Sequence, residues 1–311
     1  MKPKVIVICG PTASGKTSLS IELAKRLDGE IISCDSMQIY KDMTIGTAKP
    51  TVDEMDGVPH HLIDFVLPSE RYSVADFKKA ATQKIEEILS KNKTPIIVGG
   101  TGLYVDALVY NIEYLELETD LKYRQKLENQ IEQEGLEKLY EKAKEIDEQA
   151  MQSISKNDKK RIMRVLEIYH QTGKTKTQLE AESRLTPPPY EYIVFAITMD
   201  REKLYERINK RVDIMLEQGL IEEVQSLVNK YKEFPTAMQG LGYKEVVEYL
   251  EEKTTKEEMI EKLKMETRRY AKRQLTWFRK NKNIKWIDGL APLEQNIQCI
   301  LEEYSGEKEN K

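Results

Sequence analysis

The residues Gly10 to Thr17, with the sequence GPTASGKT, constrain the fold of this chain more than any other stretch. They follow an apolar run, Val5 to Cys9, and precede an amphipathic run that starts at Ser18. The stretch fits the P-loop pattern G-x-x-x-x-G-K-[ST] in the expected place, between a strand and a helix. Backbone N–H groups of such a loop converge on a phosphate chain, and the following helix adds its positive dipole end. The pattern predicts an anion site rather than a plain glycine turn, and leaves open whether a nucleotide triphosphate or another diphosphate binds.

Three side chains near this loop can carry chemistry. Lys16 can reach the outer phosphates of a bound anion, and the Thr17 hydroxyl can coordinate Mg2+, the one cofactor that the sequence predicts. Asp35 ends the next apolar run, so its carboxylate can bind Mg2+ through water or accept a proton from a nucleophile. An isolated Asp at such a place can also cap a turn or a helix. Its position beside a P-loop favours the chemical role.

Strands and helices alternate at the two ends of the chain. Apolar runs that predict strands include Glu30 to Asp35, Pro95 to Val98 and Tyr192 to Ile197. This alternation predicts an α/β fold: a P-loop NTPase-like parallel sheet flanked by helices. Ligands of such sheets bind at the carboxyl ends of the strands. The P-loop, Asp35 and the glycine turn at Gly99 to Gly102 are therefore expected to converge.

The middle of the chain has a different character. From Glu113 to Ser183 the sequence is rich in Glu and Lys with helical spacing, and no strand pattern is evident. We therefore predict an all-helical insertion domain at 113–189 within a catalytic core formed by 1–112 and 190–311. Further along, the glycines of Gln239 to Lys244 predict a turn between two helices.

Composition and charge exclude several classes of protein. Apolar residues make up 40% of the chain, yet no apolar run is as long as a membrane span. The three cysteines, Cys9, Cys34 and Cys299, are too scattered for a disulfide framework or a zinc site. We expect a cytoplasmic protein that does not contact a membrane, and no obligate protein partner is indicated.

Basic residues are concentrated in three predicted helices, although the net charge is −4. Arg207 and Arg211 lie one turn apart, where they can close on an anion opposite Lys16 or form a solvated salt-bridge face. Two further helices carry basic stripes; these are Lys160, Arg161 and Arg164, opposite Ile162, Leu166 and Tyr169, and then Lys264, Arg268, Lys272 and Arg279. A charged stripe is often only a solvated face. Two stripes in an otherwise acidic chain favour a large polyanion such as RNA.

Several segments of the chain form one recognisable set: GPTASGKT at Gly10 to Thr17, DSMQIY at Asp35 to Tyr40, TIGTAKP at Thr44 to Pro50, VPHHLID at Val58 to Asp64, VGGTGLY at Val98 to Tyr104, NDKKRIMRVLEIYHQTGK at Asn157 to Lys174, GLGYKE at Gly240 to Glu245 and RRYAKRQLTWFR at Arg268 to Arg279. Taken together, they resemble the tRNA dimethylallyltransferases (isopentenyl-diphosphate:tRNA transferases) of the bacterial type. Many families share a P-loop, whereas DSMQIY and AKRQLTWFR are far more specific.

The resemblance implies transfer of a dimethylallyl group from dimethylallyl diphosphate to N6 of the adenosine 3′ of the anticodon. It implies that Asp35 is the general base, and that Lys16, Thr17 and Arg211 assist at the diphosphate. The residues implied to hold the diphosphate are Gly10, Pro11, Thr12, Ala13, Ser14, Gly15, Lys16 and Thr17. Those implied to contact the tRNA anticodon stem-loop are Asp35, Ser36, Met37, Gln38, Thr101, Arg124, Asp158, Lys159, Lys160 and Arg161. The helical insertion is implied to clamp that stem-loop.

Three other functions fit part of the sequence. A P-loop kinase acting on a small acceptor would explain the P-loop and Asp35, but not the basic helices. Prenyl transfer to a free adenine nucleotide would keep the core chemistry and need no RNA clamp. A non-catalytic RNA-binding module would need neither Lys16 nor Asp35.

Overall fold

The computed structural model describes residues 2–114 and 120–306. The chain divides into two compact units, one formed by Met1–Val109 with Pro189–Lys311 and the other by Tyr110–Pro188. None of the helices in the described ranges is long and apolar enough to cross a membrane.

A six-stranded sheet forms the centre of the first unit. Its strands are β1 (Lys4–Cys9), β2 (Gly29–Ser33), β3 (His60–His61), β4 (Thr94–Gly99), β5 (Glu191–Thr198) and β6 (Lys285–Asp288). They pair in the order β3-β2-β4-β1-β5-β6, and every pair is parallel. The parallel α/β fold predicted from the alternating pattern is therefore confirmed.

Helices flank the sheet and build the second unit. They are α1 (Lys16–Arg26), α2 (Val52–Met55), α3 (Val74–Ser90), α4 (Gly102–Val109), α5 (Leu121–Glu134), α6 (Leu136–Ile146), α7 (Glu148–Met151), α8 (Lys159–Thr172), α9 (Lys176–Ser183), α10 (Arg201–Glu217), α11 (Leu220–Lys230), α12 (Tyr243–Leu250), α13 (Lys256–Phe278) and α14 (Leu293–Ser305).

Alternate side chains of β1 enter two different hydrophobic cores. Val5 and Val7 pack with residues of α3 and α4, whereas Ile6 and Ile8 pack with residues of α1 and α14. Because both faces are covered, β1 is a continuous apolar run rather than an alternating one. Cys9 is also buried, as expected for a small apolar residue.

A third core lies under the loop that follows β2. It joins Ile39, Tyr40 and Met43 of that loop to apolar residues of α10, α11, α12 and α13. The turn predicted at Gln239 to Lys244 is only partly correct, because α12 begins inside it at Tyr243. Gly242 precedes α12 with a φ of 92°, a conformation that favours glycine. The glycines therefore mark the start of a helix as well as a turn.

The basic stripe predicted on α13 is divided between two environments. Lys264 Nζ lies 2.7 Å from Asp213 Oδ1, and Arg268 donates to Asn209 Oδ1 at 2.6 Å, so both face α10. Lys272 is exposed to solvent. The first two residues of the stripe are therefore paired with α10, whereas Lys272 and Arg279 face solvent.

The second unit consists of helices joined by turns, with no strand among its described residues, and has its own core. Leu127, Leu139, Ile162 and Leu166 are among its buried residues. Ile162 and Leu166 thus confirm the predicted apolar face of α8, but Tyr169 is 42% exposed and does not belong to that face. Tyr169 lies in the last turn of α8, which ends at Thr172, and its ring is not part of the core.

Candidate functional site

A pocket of about 390 Å³ opens at the carboxyl ends of the strands in the first unit. Its walls come from the P-loop, the segment after β2, the glycine turn after β4, α10 and α13. It brings Thr12, Lys16 and Thr17 together with Asp35 and Arg211. The convergence expected from the positions of these residues at strand ends is therefore observed.

The P-loop has the curled backbone that an anion cradle requires. Gly10 and Gly15 have φ values of 146° and 92°, and Ala13 has a φ of 61°. A Cβ at Gly10 would lie 3.0 Å from the carbonyl oxygen of Ile197, a tight contact, and the φ of 146° also favours glycine here. Gly15 precedes α1 without any side-chain cap, which leaves the first N–H groups of the helix for a bound anion.

Lys16 folds back over this loop. Its Nζ donates to the carbonyl oxygens of Gly10 at 3.1 Å and Pro11 at 2.6 Å. Burial, together with the nearby charge of Arg211, lowers the pKa of Lys16 to about 8, although Asp35 acts in the opposite direction. Lys16 is therefore a cation at neutral pH that loses its proton within an accessible range.

We expect the affinity of the protein for inorganic diphosphate to fall as the pH rises through about 8. Below that pH Lys16 is protonated and attracts the anion, whereas above it the amine is neutral, and each further pH unit costs up to about tenfold in affinity. Calorimetric titrations between pH 7 and pH 9.5 would measure the change. A Lys16→Arg variant, which stays charged, should show no such fall. Equal affinities across this range in the wild type would contradict the prediction.

The structure distinguishes the two arginines of α10. Arg211 lines the pocket and donates to Thr12 Oγ1 at 3.2 Å, whereas Arg207 is exposed and does not line it. Arg211 and Lys16 thus present two cations to one cavity. This pair suits a ligand with more than one negative charge.

Asp35 lies two residues after the end of β2 and faces the same cavity. Its Oδ1 accepts hydrogen bonds from the N–H groups of Met37 at 2.9 Å and Gln38 at 3.4 Å. No side chain or backbone N–H in the described residues donates to Oδ2. One oxygen of Asp35 therefore holds the turn while the other is available to a ligand.

Ser36, Gln38 and Thr101 take part in a network behind this turn. Thr101 Oγ1 accepts from the N–H of Ser36 at 3.0 Å, and the N–H of Thr101 donates to the carbonyl of Cys34 at 3.3 Å. Gln38 lines the pocket and accepts from Ser33 Oγ at 3.0 Å. The network links the end of β2 to the turn after β4. The tRNA contacts expected of these residues stay predictions.

Gln274 of α13 is a site residue that the sequence analysis missed. Its Oε1 accepts from the N–H of Thr12 at 3.0 Å, and its Nε2 donates to the carbonyl of Gly100 at 2.9 Å. A Cβ at Gly100 would lie 2.1 Å from that Nε2. Gln274 therefore ties the P-loop to the turn after β4, and its signal in the sequence was its place within the segment AKRQLTWFR.

The donor set around Thr17 suits a cation that is held jointly with a ligand. The Thr17 hydroxyl lines the pocket with Asp35 and makes no hydrogen bond to any described residue. No cluster of three or more His, Cys, Asp and Glu residues that could hold a metal occurs in the described ranges. Two oxygen donors beside an anion cradle match the way Mg2+ binds through few protein ligands and substrate phosphates.

The remaining residues with an expected role belong to the second unit. Asp158 caps α8 by accepting from the N–H of Arg161 at 3.1 Å, and its Oδ2 lies 3.3 Å from Arg161 Nε. Lys159 and Lys160 follow in the exposed first turn of α8. Arg124 Nε on α5 lies 3.9 Å from a carboxylate oxygen of Glu167. These side chains present a mainly basic surface, and their contacts with tRNA stay predictions.

A family model and several known proteins similar to this chain indicate one family. The model of the IPP transferase family matches residues 38–281. The tRNA dimethylallyltransferase of Acetivibrio thermocellus is 55% identical over 285 residues, which cover 91% of each chain. That of Halalkalibacterium halodurans is 49% identical over 93% of this chain and 92% of its own length.

Solved structures give the same result. The full-length tRNA isopentenylpyrophosphate transferase of Bacillus halodurans is 45% identical, with a TM-score of 0.74 over 98% of this chain and 96% of its own. A eukaryotic dimethylallyltransferase, described as acting on tRNA, is 31% identical, with a TM-score of 0.83 over 99% of this chain and 81% of its own.

Proposed function

Because this chain belongs to the IPP transferase family of tRNA dimethylallyltransferases, we propose that it transfers a dimethylallyl group from dimethylallyl diphosphate to an adenosine of tRNA. The acceptor atom is N6 of the adenosine 3′ of the anticodon, and the products are N6-dimethylallyladenosine and diphosphate. One observation carries the proposal: the P-loop, two cations and a carboxylate converge on one pocket. This arrangement supplies both an anion cradle and a proton acceptor.

The cations stabilise the departing diphosphate. Breaking the allylic C–O bond leaves a delocalised carbocation and places negative charge on the leaving oxygen, so the barrier depends on stabilising that charge. Lys16 and Arg211 face the cavity, and the N–H groups at the start of α1 add to the positive field. The diphosphate lies on Gly10 to Thr17. These groups bind the leaving group and pass no phosphoryl group to the acceptor.

Asp35 is the general base. The lone pair of the exocyclic N6 is delocalised into the adenine ring, so the amine is a poor nucleophile. As the C–N bond forms, a proton moves from N6 to the carboxylate of Asp35. Its Oδ2 suits this task because Oδ1 already accepts two backbone hydrogen bonds.

Mg2+ fits the pocket as a partner of the diphosphate. Bound there, it would neutralise part of the negative charge on the phosphate oxygens. The Thr17 hydroxyl would hold it directly, with Asp35 reached through water.

Each unit contributes candidate contacts for the tRNA anticodon stem-loop. In the first unit, Asp35 to Gln38 and Thr101 contact the nucleotide to be modified, which must leave its stack to reach the pocket. In the helical unit, Arg124 and the stretch from Asp158 to Arg161 bind the stem-loop. Their exposed guanidinium and ammonium groups suit phosphate contacts.

A direct test supplies labelled dimethylallyl diphosphate to the purified protein with unmodified tRNA, with AMP or with no acceptor. We expect label on tRNA alone. A tRNA without adenosine 3′ of the anticodon is the matched control and should accept none. A parallel reaction with labelled ATP tests for a kinase. Consumption of ATP without prenylation of tRNA, or label on AMP, would overturn the proposal.

A further inference from the structure

The loop at 44–50, which follows β2, forms one wall of the pocket and is held from outside by Glu223 of α11. Gly46, Thr47, Ala48 and Pro50 of this loop line the pocket. The loop contains turns but no helix or strand, and two backbone hydrogen bonds, from the N–H of Ala48 to Ile45 and from that of Lys49 to Thr44, close it on itself. These bonds fix its shape more than its place against the pocket, so side chains that reach it from other elements help to position it.

The Glu223 carboxylate accepts three consecutive backbone hydrogen bonds from this loop. Oε2 accepts from the N–H groups of Thr44 at 2.9 Å and Ile45 at 2.7 Å, and Oε1 accepts from the N–H of Gly46 at 3.1 Å. Hydrogen bonds to an ionised carboxylate are stronger than those between neutral groups. One side chain thus fixes three successive peptide units.

Tyr243, at the start of α12, completes this arrangement. Its hydroxyl donates to Glu223 Oε1 at 2.7 Å, which orients the carboxylate. Its buried ring lies against Gly46 so closely that a Cβ at that position would be 2.6 Å from a ring carbon. The loop is therefore held by a carboxylate on its N–H groups and by an aromatic ring beneath it.

A second set of hydrogen bonds connects the loop to Asp35. The side-chain amide of Gln38 donates to the carbonyl oxygens of Thr47 at 3.3 Å and Ala48 at 3.1 Å. The N–H of Gln38 in turn donates to Asp35 Oδ1 at 3.4 Å. A displacement of the loop would therefore reach the carboxylate proposed as the general base.

We propose that Glu223 is a positioning residue for prenyl transfer: its carboxylate fixes the pocket wall at 44–50 and, through Gln38, the carboxylate of Asp35. Glu223 touches no reacting atom in this role, which rests on the function proposed above. The role requires both carboxylate oxygens as acceptors, because each oxygen receives two donors. A glutamine at 223 would direct its NH2 group at donors on one side and free that part of the loop.

The test compares Glu223→Gln with Glu222→Gln. Both residues lie in the first turn of α11, so both variants lose the same charge at the same helix end. Glu222 is exposed and makes no hydrogen bond or ion pair with a described residue. We expect Glu223→Gln to speed hydrogen exchange at the amides of Thr44, Ile45 and Gly46 and to lower kcat by about tenfold to a hundredfold. The affinity of Glu223→Gln for tRNA should be that of the wild type, and Glu222→Gln should have the hydrogen exchange and the kcat of the wild type.

Tyr243→Phe tests the same set of contacts with a smaller change, because it keeps the ring beneath Gly46 and removes only the hydroxyl. We expect a smaller fall in kcat, and a double variant no slower than Glu223→Gln alone, as for groups that act together.

Three results would overturn the proposal. The first is that hydrogen exchange at 44–46 is unchanged in Glu223→Gln. The second is that exchange at 44–46 is faster but kcat equals that of Glu222→Gln. The third is that exchange is faster throughout β1 as well, which would indicate general loss of the fold. Failure of the proposed function is a separate result: the wild type would not prenylate tRNA, while the exchange data would still report on the contact between Glu223 and the loop.

Discussion

Replacing Lys16 with methionine lowers kcat/KM for prenyl transfer by about a thousandfold, the upper range for loss of one preorganised electrostatic group. Methionine keeps the unbranched stem of lysine and removes the cation that faces the diphosphate. Of the two side-chain cations proposed to receive the developing charge, only Arg211 then remains. Rates of labelling of tRNA at low concentrations of dimethylallyl diphosphate would measure the loss.

Lys25→Met is the control for this change. Lys25 lies on the same helix, but it is an exposed residue that pairs with Glu22 and Asp56 on the surface. Its removal should leave kcat/KM within about twofold, since surface ion pairs contribute little. A Lys16→Met enzyme with the wild-type kcat/KM would show that the P-loop lysine does not stabilise the leaving group.

Local sequence patterns predicted the sheet and the P-loop because their causes are local. The apolar run from Val5 to Cys9 forms a buried strand because both of its faces pack against helices. The glycines of the P-loop are enough to predict its curled backbone, since few other residues adopt such φ values. Once the strands were predicted, Asp35 could be placed at the pocket, because the carboxyl ends of parallel strands meet at one edge of the sheet.

Contacts between distant segments could not be predicted in this way. Helical spacing places Arg207 and Arg211 close together but does not tell which one faces the P-loop, because that depends on how α10 packs against the sheet. The same limit applies to Lys264 and Arg268, whose partners lie on another helix. Gln274 joins two loops that are far from it in the chain, so no local pattern marks it.

The second large effect is expected for Asp35→Asn. Asparagine keeps an oxygen that can accept from the N–H groups of Met37 and Gln38, so the turn should persist, but it cannot take the proton of N6. We expect kcat to fall by about a thousandfold, within the range for loss of a general base. Single-turnover labelling of tRNA with saturating dimethylallyl diphosphate would measure it.

In this variant the affinities for dimethylallyl diphosphate and tRNA should change much less than kcat, and this difference tests the role of Asp35. The Asp35 carboxylate raises the pKa of Lys16 but repels a bound diphosphate, and because these effects oppose each other, its removal should change the KM for dimethylallyl diphosphate near pH 7 far less than kcat. The Kd for tRNA should stay within about twofold, because one carboxylate contributes little to binding a polyanion. Equal losses in kcat and in tRNA affinity would instead identify Asp35 as a binding residue. A loss confined to kcat is the result that a base acting on N6 requires, since such a base is needed only as the C–N bond forms.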